Sequence, residues 1–172
     1  MANRIDKDVE VTIVNNTQGS FGYNFKDTLI ELESFGDEDY LTFGELKTMM
    51  SSKHKNILKK LMLLITDVDS EEYTVDDVIS QLKLDGSYKS LREIIENIDE
   101  NSHSSIIDFI QESKTEDFEK ALEDKNLSKV LVESATSLYK DGELSDYTKL
   151  RAVGKAIGIE DFNTYFSDIA PK

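Results

Sequence analysis

The sequence predicts an α+β protein, in which a small antiparallel sheet near the N-terminus is followed by an array of short helices. Strand-like alternation and turn residues are concentrated between Val9 and Leu46, whereas apolar residues from Thr74 onward recur at three- and four-residue spacing. The single proline, Pro171, lies beyond the predicted helices. We therefore expect three parts: a flexible arm over residues 1–8, a sheet subdomain with one or two helices over residues 9–70, and a helical subdomain over residues 71–172.

The strand signals lie in short stretches near the N-terminus. Residues 9–13 alternate between apolar and polar side chains, as a half-buried strand does. A polar turn that contains Asn15 and Gly19 follows, because both residue types accept a positive φ. The other predicted strands are 21–25 and 28–34, which with the first form a three-stranded antiparallel meander, and a short strand at 40–42.

A capping box marks the change from strand to helix. The Thr42 hydroxyl can accept the Glu45 amide, and the Glu45 carboxylate can accept the Thr42 amide, so a helix is expected to follow. Residues 53–61 predict a second helical segment. The apolar run 61–65 fits either a buried strand or the end of that helix. A strand is favoured, because an acidic loop over residues 67–73 follows immediately.

Helix start and stop signals recur through the second half of the chain. Thr74 with Asp77 is expected to open a helix, a second capping box is predicted at Ser90 with Glu93, and Asp85-Gly86 is expected to form a turn. The predicted helices are 75–82, 91–98, one that begins at Ser102 or Ser104, one that begins at Thr115, 127–139 ending at Gly142, 146–157 ending at Gly158, and 159–169.

Composition restricts the classes of function. The net charge of −15 disfavours non-specific binding to a phosphate backbone, and the absence of cysteine excludes disulfides and thiolate metal sites. The first residues are charged and do not resemble a secretory signal, and the longest apolar run is too short to span a bilayer. We expect cytoplasmic synthesis, no direct contact with nucleic acid and no membrane partner.

The motifs that carry catalysis or metal binding are weak here. The acidic loop offers Asp67, Asp69 and Glu71 at calcium-loop positions 1, 3 and 5, but Glu72 and Val78 stand where glycine and glutamate are needed. The two histidines, His54 and His103, have no ligand or catalytic companion at a suitable spacing, so an exposed or capping role is expected. We predict that the protein is not an enzyme and needs no metal or cofactor.

Lysines are concentrated in one segment of an otherwise acidic chain. Between Phe43 and Leu61, five lysines face only Glu45, which gives this segment a net charge of +4 and leaves −19 for the remainder. Such a segment is either a solvated helix face or an interaction surface for an acidic partner or for another copy of the chain. Aromatic residues at 21, 23 and 25 could stack bases, but a place in the sheet core fits better. The candidate interaction residues are Lys47, Lys53, Lys55, Lys59, Lys60, Phe21 and Tyr23.

Three phrases in the first 70 residues, VTIVNNTQGSFGY, SFGDEDYLTFGEL and LMLLITD, resemble small proteins encoded by tailed bacteriophages. In that group an N-N-T-x-G turn joins two strands, and a G-D-E segment leads into the first helix. The K-D-G-E-L turn from Lys140 to Leu144 is also similar. The matching residues are Asn15, Asn16, Thr17, Gly19, Gly36, Asp37, Glu38, Leu41, Glu45 and Leu46.

The resemblance implies a head-associated structural component of the virion, and it implies no catalytic residues. Its expected partners are other virion proteins, such as the major capsid protein or connector neighbours, and copies of itself. A second hypothesis is a soluble acidic inhibitor or DNA mimic, which would bind a basic host protein. An enzyme is a third, less favoured class. Open strand edges would also permit strand addition by a partner.

Overall fold

The computed structural model describes residues 4–17, 19–94 and 102–170, with the backbone alone described at 102–105 and 162. It confirms the α+β class, with strands and two short helices first and further helices after them. The elements are β1 Glu10–Asn15, β2 Phe21–Phe25, β3 Thr28–Leu32, β4 Glu38–Thr42, α1 Phe43–Met50, α2 Asn56–Lys59, β5 Leu63–Val68, α3 Val75–Gln81, α4 Asp85–Ile94, α5 Ser102–Glu112, α6 Thr115–Glu123, α7 Leu127–Lys140, α8 Tyr147–Ala156 and α9 Phe162–Asp168.

Strand pairing differs from the predicted meander. Strand β1 lies in the middle of a three-stranded antiparallel sheet in the order β4-β1-β5, whereas β2 and β3 form a separate two-stranded hairpin. The reason is that β1 is buried on both faces from Val11 to Asn15, which is the environment of a central strand. The run at 61–65 does become a strand, β5, which begins at Leu63 and extends to Val68.

Residues 4–8 are held against the folded chain, although a flexible arm was expected there. Ile5 is buried, and its amide donates to the side chain of Gln81. The carbonyl of Lys7 accepts the amide of Gly44, so this segment also crosses the start of α1. The expectation of a flexible arm is therefore wrong for residues 4–8, and the rest of the predicted arm lies outside the described residues.

Local capping begins two of the helices that the sequence predicts. The capping boxes of Thr42 with Glu45 and of Thr74 with Asp77 are both formed, and they begin α1 and α3. The predicted capping box at Ser90 is wrong, because α4 already begins at Asp85 and Ser90 is buried within it. The predicted turn at Asp85-Gly86 is wrong for the same reason. The predicted extension of this helix to residue 98 lies outside the described residues.

The apolar residues of the sheet, the hairpin and the helices meet in one buried cluster. Helices α2, α3 and α5 pack on β5, and α5, α6, α7 and α8 pack among themselves. The predicted inward positions of α7 are all buried: Leu127, Val130, Leu131, Ala135 and Leu138. Residues from both predicted subdomains contribute to this core. The division at residue 70 stays a prediction.

Candidate functional site

The five predicted lysines lie on the surface of α1, of the turn that follows it and of α2. All five side chains are exposed. The predicted helix over 53–61 is reduced to the single turn of α2, because residues 51–55 form successive turns at the end of α1. This arrangement separates the lysines into two groups. Lys47 and Lys53 line a pocket at the end of α1, whereas the three others do not.

We call this depression the lysine pocket. It has a volume of about 470 Å³ and opens to solvent. Its residues come from the β2–β3 hairpin, from α1 and from the turn after α1. They are Phe25, Lys26, Lys47, Thr48, Ser51, Ser52 and Lys53.

Lys26 is the pocket lysine that the sequence interpretation missed. It lies in the two-residue turn between β2 and β3, where Phe25 pairs with Thr28. Lys26 lies outside the lysine-rich segment 43–61 in the sequence, and the β2–β3 hairpin brings it to the pocket by tertiary contact. A signal was present, since two strand-like stretches separated by Lys26-Asp27 predict a tight hairpin whose turn is exposed.

Two aromatic rings lie beside the lysine stems. The Lys26 ammonium lies 5.5 Å from the centroid of the Phe25 ring, and the Lys47 ammonium lies 5.7 Å from that of Phe43. Both distances fall within the range of a cation–π contact. Within the described part of the chain, the pocket lysines form no ion pair; the ion pair found there joins Arg92 to Asp76. The ammonium groups of Lys26 and Lys47 therefore lie near rings without being neutralised by a carboxylate, and Phe43 itself does not line the pocket.

Phe21 and Tyr23 lie beneath this surface and do not form part of it. Only 8% of Phe21 and 7% of Tyr23 is exposed, so neither ring can stack on a base or on a partner. This corrects their inclusion among the candidate interaction residues and agrees with the alternative of a sheet core. Burial raises the pKa of Tyr23, and a hydrogen bond with Ser52 offsets part of that effect.

His54 takes part in the same packing. Its ring makes an edge contact with Tyr23 at 5.3 Å and a tilted contact with Phe25 at 5.1 Å between centroids. Its amide donates to the hydroxyl of Ser52. His54 therefore joins the hairpin to the turn after α1, which is neither of the roles expected from the sequence. For His103 the structure gives the backbone alone, in α5.

The serines of the pocket are occupied by the end of α1. The Ser51 hydroxyl donates to the Lys47 carbonyl at 2.8 Å, and the Ser52 hydroxyl donates to the Met49 carbonyl at 2.8 Å. Each carbonyl also accepts a main-chain amide, Lys47 from Ser51 and Met49 from Ser52, so the hydroxyls add a second hydrogen bond at the end of α1. Because their hydrogens are used, the serines do not offer donors to a ligand. The Thr48 hydroxyl likewise donates to the Gly44 carbonyl, so the ammonium groups are the side-chain donors that remain among the pocket residues.

Residues that carry the resemblance to phage proteins form hydrogen bonds within and between turns. The Asn15 side chain donates to the carbonyls of Gly19 and Ser34, and its oxygen accepts from Thr17. The main chain of Asn15 also bonds to Gly36 and Asp37. The N-N-T-x-G and G-D-E segments are thus hydrogen-bonded to each other, and their role in this structure is architectural.

The acidic loop after β5 shows no arrangement that suits a cation. Asp77 accepts from the amide and hydroxyl of Thr74, and these two bonds lower the pKa of its carboxyl group. Across the described residues, no group of three or more potential ligands is close enough to hold a metal ion. None of the helices in the same ranges combines the length and the apolar character needed to cross a bilayer.

Comparison with protein-family models, with curated proteins and with solved structures gives no match to this chain. The lysine pocket and the resemblance of the first 70 residues to phage proteins are therefore the two features that bear on function.

Proposed function

We propose that the protein is a non-enzymatic structural component of a tailed-phage virion, which docks on the head or on a neighbouring virion protein. The observation that carries the docking role is the lysine pocket. Three lysines from separate segments line it, and none of them pairs with a carboxylate within the described residues. With Lys26 and the five predicted lysines set aside, the rest of the chain has a net charge of −21. A cationic spot on so acidic a protein favours one orientation toward an acidic neighbour.

The virion assignment is supported by the resemblance of the N-terminal segments. The partners we propose are the major capsid protein, a connector neighbour or further copies of this chain. Exposed lysines contribute little energy individually, because water and salt screen them. On a symmetric shell many equivalent contacts act together, so that weak docking can still hold the protein in place. The protein would reach the particle after synthesis in the host cytoplasm.

Mass spectrometry of gradient-purified particles tests this function. We expect a signal in a fixed ratio to the major shell protein, and the ratio would distinguish shell, vertex and connector positions. Absence from particles, with abundant protein in the infected-cell extract, would contradict the proposal and would favour the acidic inhibitor. A matched experiment uses phage that encode Lys26→Gln, Lys47→Gln and Lys53→Gln together, and particles from this phage should contain less of the protein.

A further inference from the structure

We infer that the lysine pocket binds a short acidic segment of a partner protein, with the side-chain carboxylates of that segment held by Lys26, Lys47 and Lys53. This inference rests on the proposed docking function and names the chemistry of the partner.

The pocket brings together cations that are far apart in the sequence. Lys26 comes from a hairpin turn, Lys47 from α1 and Lys53 from the turn after α1. All three side chains are exposed, and none of them forms an ion pair within the described residues. An acidic segment seated in the pocket would therefore have three unpaired lysines around it.

The backbone at Lys26 is a second observation. Its φ is +55°, in the left-handed region that a non-glycine residue occupies at a cost. Glycine would satisfy such a turn with less strain. The chain nevertheless has a lysine at the turn position that reaches the pocket. A strained residue that also carries the charge of a site is consistent with a functional requirement for that side chain.

The surroundings favour a peptide over a nucleic acid. Asp27 follows Lys26 directly, and the rest of the chain is strongly acidic. A polynucleotide carries regularly spaced phosphates and needs a continuous basic track, so beyond the pocket it would meet carboxylates. A ligand of a few residues fits a pocket of about 470 Å³ without extending past it.

Lysine chemistry agrees with carboxylate binding. The serine hydroxyls of the pocket already donate to main-chain carbonyls, so recognition depends on the ammonium groups. An ammonium group is a compact charge that accepts carboxylates from many directions, whereas an arginine would impose a planar fork. The apolar walls provided by Phe25 and by the lysine stems can pack against the methylene groups of Glu side chains.

Fluorescence polarisation with the purified full-length protein tests the inference. The probe is a fluorescein-labelled peptide of alternating Glu and Gly, with a Gln-Gly peptide as the neutral control. At a low ionic strength of about 50 mM, the wild type should bind the Glu-Gly peptide and not the Gln-Gly peptide. The variant with Lys26→Gln, Lys47→Gln and Lys53→Gln should bind at least about tenfold more weakly.

The matched control removes the same charge outside the pocket, by Lys55→Gln, Lys59→Gln and Lys60→Gln. This control should weaken binding by less than about threefold. Equal losses in the two variants would overturn the inference, because they would indicate attraction by net charge alone. Circular dichroism verifies folding. If the triple pocket variant is unfolded, the single variants Lys47→Gln and Lys53→Gln, compared with Lys59→Gln, provide the same test.

Two further outcomes keep this inference separate from the proposed function. Failure of the wild type to bind the Glu-Gly peptide would overturn the pocket chemistry, even if the protein is present in purified particles. Tighter binding of an oligothymidylate of equal charge, with the same dependence on the pocket lysines, would overturn it in favour of a nucleic acid. Peptide binding by a protein that is absent from particles would support the pocket chemistry and reject the virion role.

Discussion

Two residues other than glycine adopt a left-handed conformation directly after a helix. Leu61 follows α2 with φ +54°, and Lys83 follows α3 with φ +58°. In each case the next amide reaches back to a carbonyl of the helix, which is how glycine commonly ends a helix. The backbone demand is the same at both positions, but the side chains differ, since Leu61 is buried and Lys83 is exposed.

Substitution by glycine should therefore have opposite effects at these two positions. Lys83→Gly should raise the free energy of unfolding by about 1 kcal/mol, because it relieves the left-handed strain and removes only an exposed side chain. Leu61→Gly should lower the free energy of unfolding by about 2–4 kcal/mol, because the lost burial outweighs the same relief. Urea unfolding measures both changes. A destabilised Lys83→Gly variant would contradict the assignment of strain to this position.

At the residue scale, local hydrogen bonding was predictable and tertiary hydrogen bonding was not. The capping boxes at Thr42 and Thr74 involve residues three apart, so the sequence contains the whole interaction. Ser90 has the same pattern, but its hydroxyl donates to Asp124, which is 34 residues away. The place of Lys26 in the pocket is also a tertiary feature, because the hairpin turn brings it to lysines that follow it by more than twenty residues.

At the scale of single elements, aspartate side chains cap the N-termini of helices. Asp146 precedes α8 and accepts from the hydroxyl and amide of Thr148 and from the amide of Lys149. The Thr148 hydroxyl is the largest cause of the lowered pKa of the Asp146 carboxyl group. Asp161 precedes α9 in the same manner, and hydrogen bonds from the hydroxyl and amide of Thr164 lower the pKa of its carboxyl group.

These lowered pKa values predict weaker folding in acid. A carboxyl group with a lower pKa in the folded state is protonated first in the unfolded state, so its stabilisation is present above the unfolded pKa and is lost as the pH falls below about 4. We expect Asp146→Asn to reduce the difference in urea midpoint between pH 6 and pH 3, since asparagine caps a helix without titrating. The corresponding change in the free energy of unfolding should stay below about 1 kcal/mol, because Asp146 is exposed. An unchanged difference would contradict this role.

A buried lysine joins two helices of the C-terminal half. Lys149 on α8 is 2% exposed, and its ammonium group donates to the carbonyls of Ile110 and Gln111 at 2.7 and 2.9 Å. These carbonyls belong to the last turn of α5, where main-chain acceptors lack helical partners and a cation is favoured. The Lys149 side chain, which belongs to α8, therefore caps the C-terminal end of α5.

Replacement of Lys149 by methionine keeps much of the side-chain volume and removes the donor. We expect Lys149→Met to lower the free energy of unfolding by about 1–3 kcal/mol, because the Ile110 carbonyl remains buried without this donor. Lys155→Met, at an exposed position of the same helix, removes the same charge and should be close to neutral. Urea unfolding of the two variants measures the difference. Equal effects would mean that charge alone, and not the bond to α5, is responsible.

The sequence predicted whether a segment is a strand or a helix more often than it predicted which segments pair with each other. The β2–β3 hairpin and the apolar strand before residue 70 follow from alternation and turn residues, which are local signals. The pairing of β1 with β4 and β5 depends on contacts across the chain that alternation does not specify. One signal was available, since Ile13 and Val14 are adjacent apolar residues and indicate a strand that is buried on both faces.

At the scale of the whole molecule, buried polar contacts join the sheet to the helices. The Ile65 amide on β5 donates to the hydroxyl of Tyr88 on α4 at 2.9 Å, and this hydroxyl is fully buried. The Ser134 hydroxyl of α7 donates to the side chain of Asn16, the residue that follows β1. Strand β5 forms one edge of its sheet, so Tyr88 covers a main-chain donor that has no strand partner.

Tyr88→Phe tests whether the chain unfolds as one unit or divides near residue 70. It should lower the free energy of unfolding by about 1–3 kcal/mol, because the Ile65 amide is left buried without an acceptor. Tyr73→Phe, which removes an exposed hydroxyl that donates to Arg4, should be nearly neutral. Hydrogen exchange then compares β5 with α7. If the shared core acts cooperatively, the most protected amides of both elements should lose the same protection. Loss confined to β5 would show that the helical part is a separate subdomain, and that the buried contacts join two independently stable parts.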